Sequence, residues 1–148
     1  MKFTIENQHI LGLASWLHEL NLSGRQSRVR TRFVKTLSDR YQENEKFRQE
    51  LIEKYGKKDK GQLVKTEDGK SYVLGDKEKF VQELQDLLEE QFVVTLDNND
   101  ANTLKEMVLD TDYVFGPKEG TTPEEKAAKS RQANDYEVWC KSFEEMKR

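Results

Sequence analysis

Apolar residues near the amino terminus recur at steps of three and four, which is the period of an amphipathic helix. One such stripe covers residues 10–20, and a longer one predicts a second helix over residues 25–55. Ser23 is suited to cap the second helix, and Gly56 is suited to end it with a positive φ. Because the connection between the two stripes is short, the sequence predicts an amino-terminal helical hairpin.

Alternating and β-branched runs predict a small, mainly antiparallel sheet. Asp68-Gly69 stands between two β-prone runs and predicts a β-hairpin near residues 62–74, closed by a type I′ turn. Residues 92–96 form the most continuous β-branched run, which is typical of a central strand. We expect Phe3–Ile5 to pair with that strand or with the hairpin.

Helix start signals recur in the second half of the chain. Asp76 precedes a stripe at residues 80–88, and residues 97–100 form a turn before a short helix. Thr122-Pro123-Glu124-Glu125 combines a threonine cap, an early proline and a capping-box glutamate, which predicts a carboxy-terminal helix. The fold class expected is helix-rich α+β, in a single domain over residues 1–148.

Composition makes the core modest. Hydrophobic residues make up 34% of the 148 residues and charged residues 36%, which is less apolar and more charged than an average globular chain. The single cysteine, Cys140, allows no internal disulfide, which fits a reducing compartment. The amino terminus lacks a signal-peptide core, and no apolar run approaches the roughly 20 residues that cross a bilayer. We therefore expect a cytoplasmic protein with no membrane contact.

The usual catalytic and metal-binding signatures are absent from the sequence. The two histidines, His9 and His18, lie nine residues apart on one predicted helix and therefore face different sides. His18-Glu19 begins like a zinc-protease motif, but Leu22 occupies the place of its second histidine. The sequence thus predicts no enzyme, no metal and no cofactor.

A basic segment occupies the start of the second predicted helix. Residues 25–40 contain six basic side chains against one acid, and most of the basic ones share a helical face. This face could hold phosphates or an acidic protein, or it could be a solvated face that clamps the chain's own carboxylates. The candidate residues are Arg25, Arg28, Arg30, Arg32 and Lys35.

An acidic segment follows at residues 76–112, where eleven acids stand against three bases. It could present an acidic face to a basic partner, or it could face the basic helix within the fold, or water. The candidate residues are Glu83, Asp86, Glu89, Glu90, Asp97 and Asp100.

Several local motifs carry a family resemblance. They are the Met-Lys-Phe-Thr-Ile start, the pattern formed by Gly24, Ser27, Arg28, Arg30, Thr31 and Phe33, and the segments at 53–56, 87–90 and 134–137. With these motifs the chain resembles a family of small proteins from tailed phages and prophages of Gram-positive bacteria, a domain of unknown function. The resemblance implies a phage origin, and therefore a location in the cytoplasm of a bacterial host cell, and it assigns no catalytic residues.

Three functions follow as hypotheses. The first is a phage accessory protein that binds a host protein, for example to inhibit a CRISPR nuclease. The second is an accessory protein of virion or tail morphogenesis. The third is a nucleic-acid-binding regulator that uses the basic helix; the formal net charge of −3 and the isoelectric point near 5.6 speak against it.

Overall fold

The computed structural model describes residues 1–113 and 122–146, apart from the side chains of residues 128 and 129. Its elements, in chain order, are β1 (Lys2–Glu6), a short 3-10 helix (Asn7–His9), α1 (Ile10–Glu19), α2 (Gly24–Tyr55), β2 (Lys58–Asp59), β3 (Gln62–Leu63), α3 (Lys77–Glu89), β4 (Gln91–Thr95), α4 (Asn98–Leu109) and α5 (Pro123–Glu144). This is the expected helix-rich α+β class.

The predicted helical hairpin is confirmed, since α1 packs against the first half of α2. Ser23 makes no capping hydrogen bond with its side chain, and Gly24 begins α2 with a φ of 58°. The Arg30 guanidinium donates to the carbonyl oxygens of Leu17 at 3.4 Å and Leu20 at 2.7 Å. Arg30 therefore satisfies carbonyl groups that the end of α1 leaves without partners.

β1 and β4 form a two-stranded antiparallel sheet in which Phe3 is opposite Val94. The expected pairing of residues 3–5 with the β-branched run is confirmed. The prediction that this run is a central strand is wrong, because β1 is the one strand that pairs with β4 in the described part of the chain. Val94 faces the core, whereas Val93 is half exposed. The strand is therefore less buried than its continuous apolar run predicts.

Aromatic side chains from distant parts of the sequence fill the main core. The Phe3 ring lies with its centroid 5.2 Å from that of Phe33 and 4.6 Å from that of Phe143. Trp16 of α1 stacks on Trp139 of α5, with centroids 5.3 Å apart. This cluster joins β1, α1, the first half of α2, β4, α4 and α5.

The second half of α2 extends away from this cluster. The helix has 32 residues and therefore spans about 48 Å, yet no residue from 42 to 91 belongs to the main core. We call residues 42–89 the arm. Ile52 is its one fully buried apolar residue. Phe47, predicted as part of the apolar stripe of α2, is 42% exposed, so that part of the stripe does not face a core.

Residues 56–75 of the arm form a small ribbon that differs from the predicted hairpin. The tight turn lies at Lys60 and Gly61, with φ values of 51° and 80°, between the paired strands β2 and β3. These two positive φ values are those of a type I′ turn. Residues 57–61, a charged run without apolar residues that predicts a linker, therefore contain the hairpin turn.

The predicted pairing across Asp68-Gly69 is present in reduced form. Lys65 pairs with Tyr72 as an isolated bridge, and the backbone N–H of Thr66 donates to the carbonyl of Ser71. Gly69 has a φ of 72°, but Asp68 does not have a positive φ, so the predicted type I′ turn at this site is wrong. The Asp68 carboxylate instead accepts from its neighbours in the turn, including the backbone N–H of Lys70 at 3.0 Å.

Gly56 ends α2 as expected, but for a different reason. Its φ of −66° is accessible to any residue, so the predicted left-handed cap is wrong. A Cβ at this position would lie 2.5 Å from the carbonyl oxygen of Ile52 and 2.6 Å from Cδ2 of Leu63. Glycine is required here because the ribbon approaches the end of the helix closely.

The carboxy-terminal helix starts as its sequence predicts. The Thr122 hydroxyl accepts from the backbone N–H of Glu125, and the Glu125 carboxylate accepts from the backbone N–H of Thr122. Gly116-Pro117 and Gly120 predict a loop over residues 111–122, and most of these residues lie outside the described ranges. None of the helices in the described ranges combines the length and the apolar character that a membrane span requires.

Candidate functional site

Part of the predicted basic face is used inside the molecule. Arg25 and Arg32 both reach Asp100 at the start of α4, at 3.4 and 3.1 Å between nitrogen and oxygen. The Asp100 side chain is only 19% exposed, and it joins α2 to α4. For these residues the basic helix and the acidic segment contact each other within the fold.

The remaining basic candidates do not form a common surface. Arg30 binds the carbonyl groups at the end of α1, and Lys35 pairs with Asp39 of its own helix at 2.9 Å. Arg28 is exposed, and no described residue forms an ion pair with it. The structure thus places the five predicted basic residues on α2, and Arg28 is the one whose side chain forms no hydrogen bond or ion pair with a described residue.

A polar junction links the arm to the core. Arg40 of α2 pairs with Glu90 at 2.9 Å, donates to Oδ1 of Asn7 at 3.2 Å, and lies over the Phe92 ring at 5.1 Å from its centroid. Buried Asn7 also donates to the carbonyl oxygen of Leu87 at 2.8 Å. Glu90, one of the acidic candidates, therefore has a structural contact.

A second contact ties α3 to the end of α2. The Glu83 carboxylate accepts from the Tyr55 hydroxyl at 3.0 Å and from the Lys54 ammonium at 3.2 Å. The Tyr55 hydrogen bond is the main reason that the pKa of Glu83 lies below its ordinary value, and Lys54 adds to the effect.

We expect Tyr55→Phe to raise the pKa of Glu83 toward the ordinary glutamate value, because the substitution removes the hydroxyl donor. The depressed pKa means that the bond stabilises the fold at neutral pH, and that this contribution is lost as the pH falls through the lowered value. A carboxyl-carbon NMR titration of Glu83 measures the change. Tyr72→Phe is the matched control and should leave Glu83 unchanged; an unshifted Glu83 in Tyr55→Phe would contradict the assignment.

The other acidic candidates accept hydrogen bonds close by in the sequence. Asp97 caps α4 by accepting from the backbone N–H of Asp100 at 2.8 Å. Asp86 accepts from the Gln82 side chain and Glu89 from the Gln85 side chain, both one turn earlier in α3. In the described part of the chain, Asp86 and Glu89 have no cationic partner.

Acidic residues are concentrated at the carboxy-terminal end of α3, where negative charge is least favourable for a helix. Residues 82–90 contain four carboxylates and no lysine or arginine. The carboxy-terminal end of a helix carries partial negative charge, so acids in the last turns are unfavourable. The last turn of α3 contains no basic residue to offset them.

A groove of about 420 Å³ lies between α2 and α3 on this acidic side. We call it the acidic groove; the residues that line it are Phe47, Glu50, Leu51, Lys54, Glu83, Asp86, Leu87 and Glu90. Sequence reasoning found Glu83, Asp86 and Glu90 as an acidic face. It does not identify the three apolar residues as part of a surface site, because an apolar stripe on a helix normally faces the core. The available signal is Asn44, a polar residue that interrupts the apolar stripe of α2 between Tyr41 and Phe47.

Further depressions lie elsewhere on the described part of the chain, and two of them are of similar size to the groove. One of about 410 Å³ on the arm is lined by side chains that include Arg48, Lys70, Tyr72 and Phe80. Another, of about 520 Å³, lies where α1, α2 and α4 meet and is lined by polar groups and by Leu20, Leu22 and Met107. Among the described side chains that line either depression, no hydrogen bond joins a hydroxyl group to a carboxylate or to an amine.

Cys140 has the environment of a structural cysteine. It is half-buried beside the core, and burial is the main cause that raises the pKa of its thiol. A raised pKa disfavours the nucleophilic thiolate. Across residues 1–113 and 122–146, no three histidine, cysteine or carboxylate side chains are grouped as metal ligands.

Comparison with known proteins yields one match. A model of the family described as "Protein of unknown function (DUF1617)" matches residues 1–99, which cover β1 to β4 and therefore the whole arm. No curated protein matches the chain, and no solved structure does.

Proposed function

The chain belongs to the DUF1617 family of proteins of unknown function, and we propose that it is a non-catalytic accessory protein that acts by binding another protein. The observation that carries this proposal is the acidic groove. Phe47 is exposed there beside half-buried Leu51 and Leu87, and two carboxylates of the groove, Glu50 and Asp86, have no cationic partner among the described residues. Exposed apolar surface bordered by polar groups is typical of interaction sites.

The organisation of the arm supports the same function. Each square ångström of apolar surface removed from water contributes about 25 cal/mol. Most apolar residues of the arm are only half-buried, and a partner that covers those at the groove would gain that contribution. The half-buried apolar residues that border the groove are Leu51 and Leu87, next to exposed Phe47.

The class of partner follows from the resemblance to phage proteins. A phage origin makes a protein of the bacterial host cell the proposed partner, in the cytoplasm. Inhibition of a host defence protein such as a CRISPR nuclease is one form that this function takes. No catalytic step is part of the proposal.

We expect the tagged chain to retain a host protein that, once identified by mass spectrometry and purified, binds the chain saturably and in a defined ratio. If no host protein is retained under conditions that preserve the fold, the proposed function is wrong. Stoichiometric presence of the chain in purified virions would instead support a role in morphogenesis. Salt-dependent binding of DNA or RNA, abolished by Arg28→Glu, would support a nucleic-acid-binding regulator.

A further inference from the structure

We propose that the acidic groove binds a basic amphipathic helix of the partner protein. This inference rests on the proposed function and adds the site and the chemistry of the ligand. Apolar anchors of the helix would contact Phe47, Leu51 and Leu87, and its lysine or arginine residues would pair with carboxylates of the groove. Binding of a helix in an apolar groove is a common mode of peptide recognition.

The charged residues of the acidic groove favour a positively charged ligand. The groove is lined by four carboxylates and one ammonium group. Glu83 is already paired with Lys54, and Glu90 with Arg40. Glu50 and Asp86 form no ion pair with any residue in the described ranges, so these two carboxylates remain for cations of a partner.

The end of α3 adds a second electrostatic reason. Asp86 and Glu89 lie near the negative end of the helix dipole and close to other acids, an arrangement that is unfavourable for each of these charges. Cations from outside would reduce this repulsion. A basic ligand therefore binds more favourably, because it reduces a repulsion between acidic residues that is present in the free protein.

The apolar residues of the acidic groove favour a helical ligand. Two helices border the groove, and α3 has no fully buried residue, so one side of it is free to receive another helix. Anchors spaced three or four residues apart on one helix can reach Phe47 and Leu51 of α2 and Leu87 of α3 together. The groove volume of about 420 Å³ is large enough for several side chains and too small for a folded domain.

The same features argue against other occupants. Nucleic acids and anionic membranes would be repelled by the carboxylates. A second copy of the chain offers a basic helix over residues 25–40, but its apolar residues Val29, Phe33 and Leu37 are buried in the core. They cannot act as anchors unless the fold opens.

The test uses a synthetic peptide of about 18 residues, or roughly five helical turns, with leucine at every third or fourth position and lysine or arginine between. Its counterpart has glutamate in place of each basic residue. We expect the basic peptide to bind the full chain, measured by calorimetry, with an affinity that falls as salt is added. The acidic counterpart should not bind.

Two variants locate the binding site. We expect Phe47→Glu and Asp86→Lys each to weaken peptide binding about tenfold or more, because one removes an apolar anchor and the other repels the cations. Val81→Glu and Glu78→Lys make the same chemical changes on exposed positions of α3 outside the groove, and should bind as the parent chain does. Circular dichroism of all four variants verifies that they fold.

Failure of this inference differs from failure of the proposed function. Absence of binding by the basic peptide, or equal binding by the parent chain and both groove variants, would overturn the inference. If a host protein is retained equally by the parent chain and by Asp86→Lys, the protein-binding function stands and the groove assignment is wrong. If the peptide binds as expected but no host protein is retained, the groove assignment stands and the host-directed function is wrong.

Discussion

Phe3→Ala is expected to lower the free energy of unfolding by about 3–5 kcal/mol, whereas Phe47→Ala should lower it by no more than about 1 kcal/mol. The Phe3 side chain is fully buried between Phe33 and Phe143, so its removal leaves a cavity in the main core. Phe47 is 42% exposed at the acidic groove and leaves no enclosed cavity. The same chemical change therefore has very different costs at the two positions.

Urea denaturation of the two variants and the parent chain, followed by circular dichroism, measures this difference. The midpoint should move far to lower urea for Phe3→Ala and little for Phe47→Ala, with the slope of each transition unchanged. A loss in Phe47→Ala comparable with that in Phe3→Ala would contradict the division between core and arm. It would mean that Phe47 contributes to stability rather than to an exposed surface.

Backbone amides of α3 should exchange with solvent through local openings that cost at least about 2 kcal/mol less than global unfolding. The arm has one fully buried apolar residue, Ile52, and the ion pairs that hold α3 to α2 are largely exposed. Exposed ion pairs contribute only about 0–1 kcal/mol each. Amides of β1 and α1, which lie around Phe3 and Trp16 in the main core, should exchange only with global unfolding.

Native-state hydrogen exchange followed by NMR at low urea concentrations measures both classes of amide. Equal free energies of exchange for α1 and α3 would show that the arm unfolds only with the core, contrary to this expectation. Gly12→Val provides a control in the core, because a Cβ at Gly12 already lies 3.2 Å from Trp139 and a larger side chain disturbs the packing of α1 on α5. It should lower the free energy of exchange in α1 more than in α3.

The elements of the fold could be predicted because local periodicity and cap residues determine them. The stripe of α2 gave the span of the helix to within one residue, and the Thr122 capping box gave the start of α5. The apolar stripe does not show whether another element of the fold packs against it. Phe47 continues the same period as Val29 and Phe33, yet only the first half of the helix has a core to face.

Turn chemistry in the ribbon shows a second limit. Asp68-Gly69 has the stronger local signal for a type I′ turn, but the type I′ geometry occurs at Lys60-Gly61. The short strands β2 and β3 pair across Lys60, and the close approach of Gly56 to Leu63 holds the ribbon against α2. Such tertiary contacts override the preference of a lone dipeptide.

The distribution of charged residues along the sequence shows where the basic and acidic segments lie, but it does not show which residues of the two segments pair. The sequence located both charged segments, and the structure joins them where Arg25 and Arg32 meet Asp100. No spacing rule relates residues that lie 68 or more positions apart. The same limit explains why the acidic groove, built from α2 and α3, emerges only in three dimensions.

Hydrogen exchange of the chain in complex with the purified host protein is the most direct measurement of how the chain acts. We expect amide exchange to slow over residues 44–55 and 77–89, which border the acidic groove, and to remain as in the free chain over β1 and the start of α2. The arm supplies the interaction surface if this pattern is found. Unchanged exchange in both groove segments, with slowing over residues 24–36 instead, would contradict a protein-binding function located in the arm.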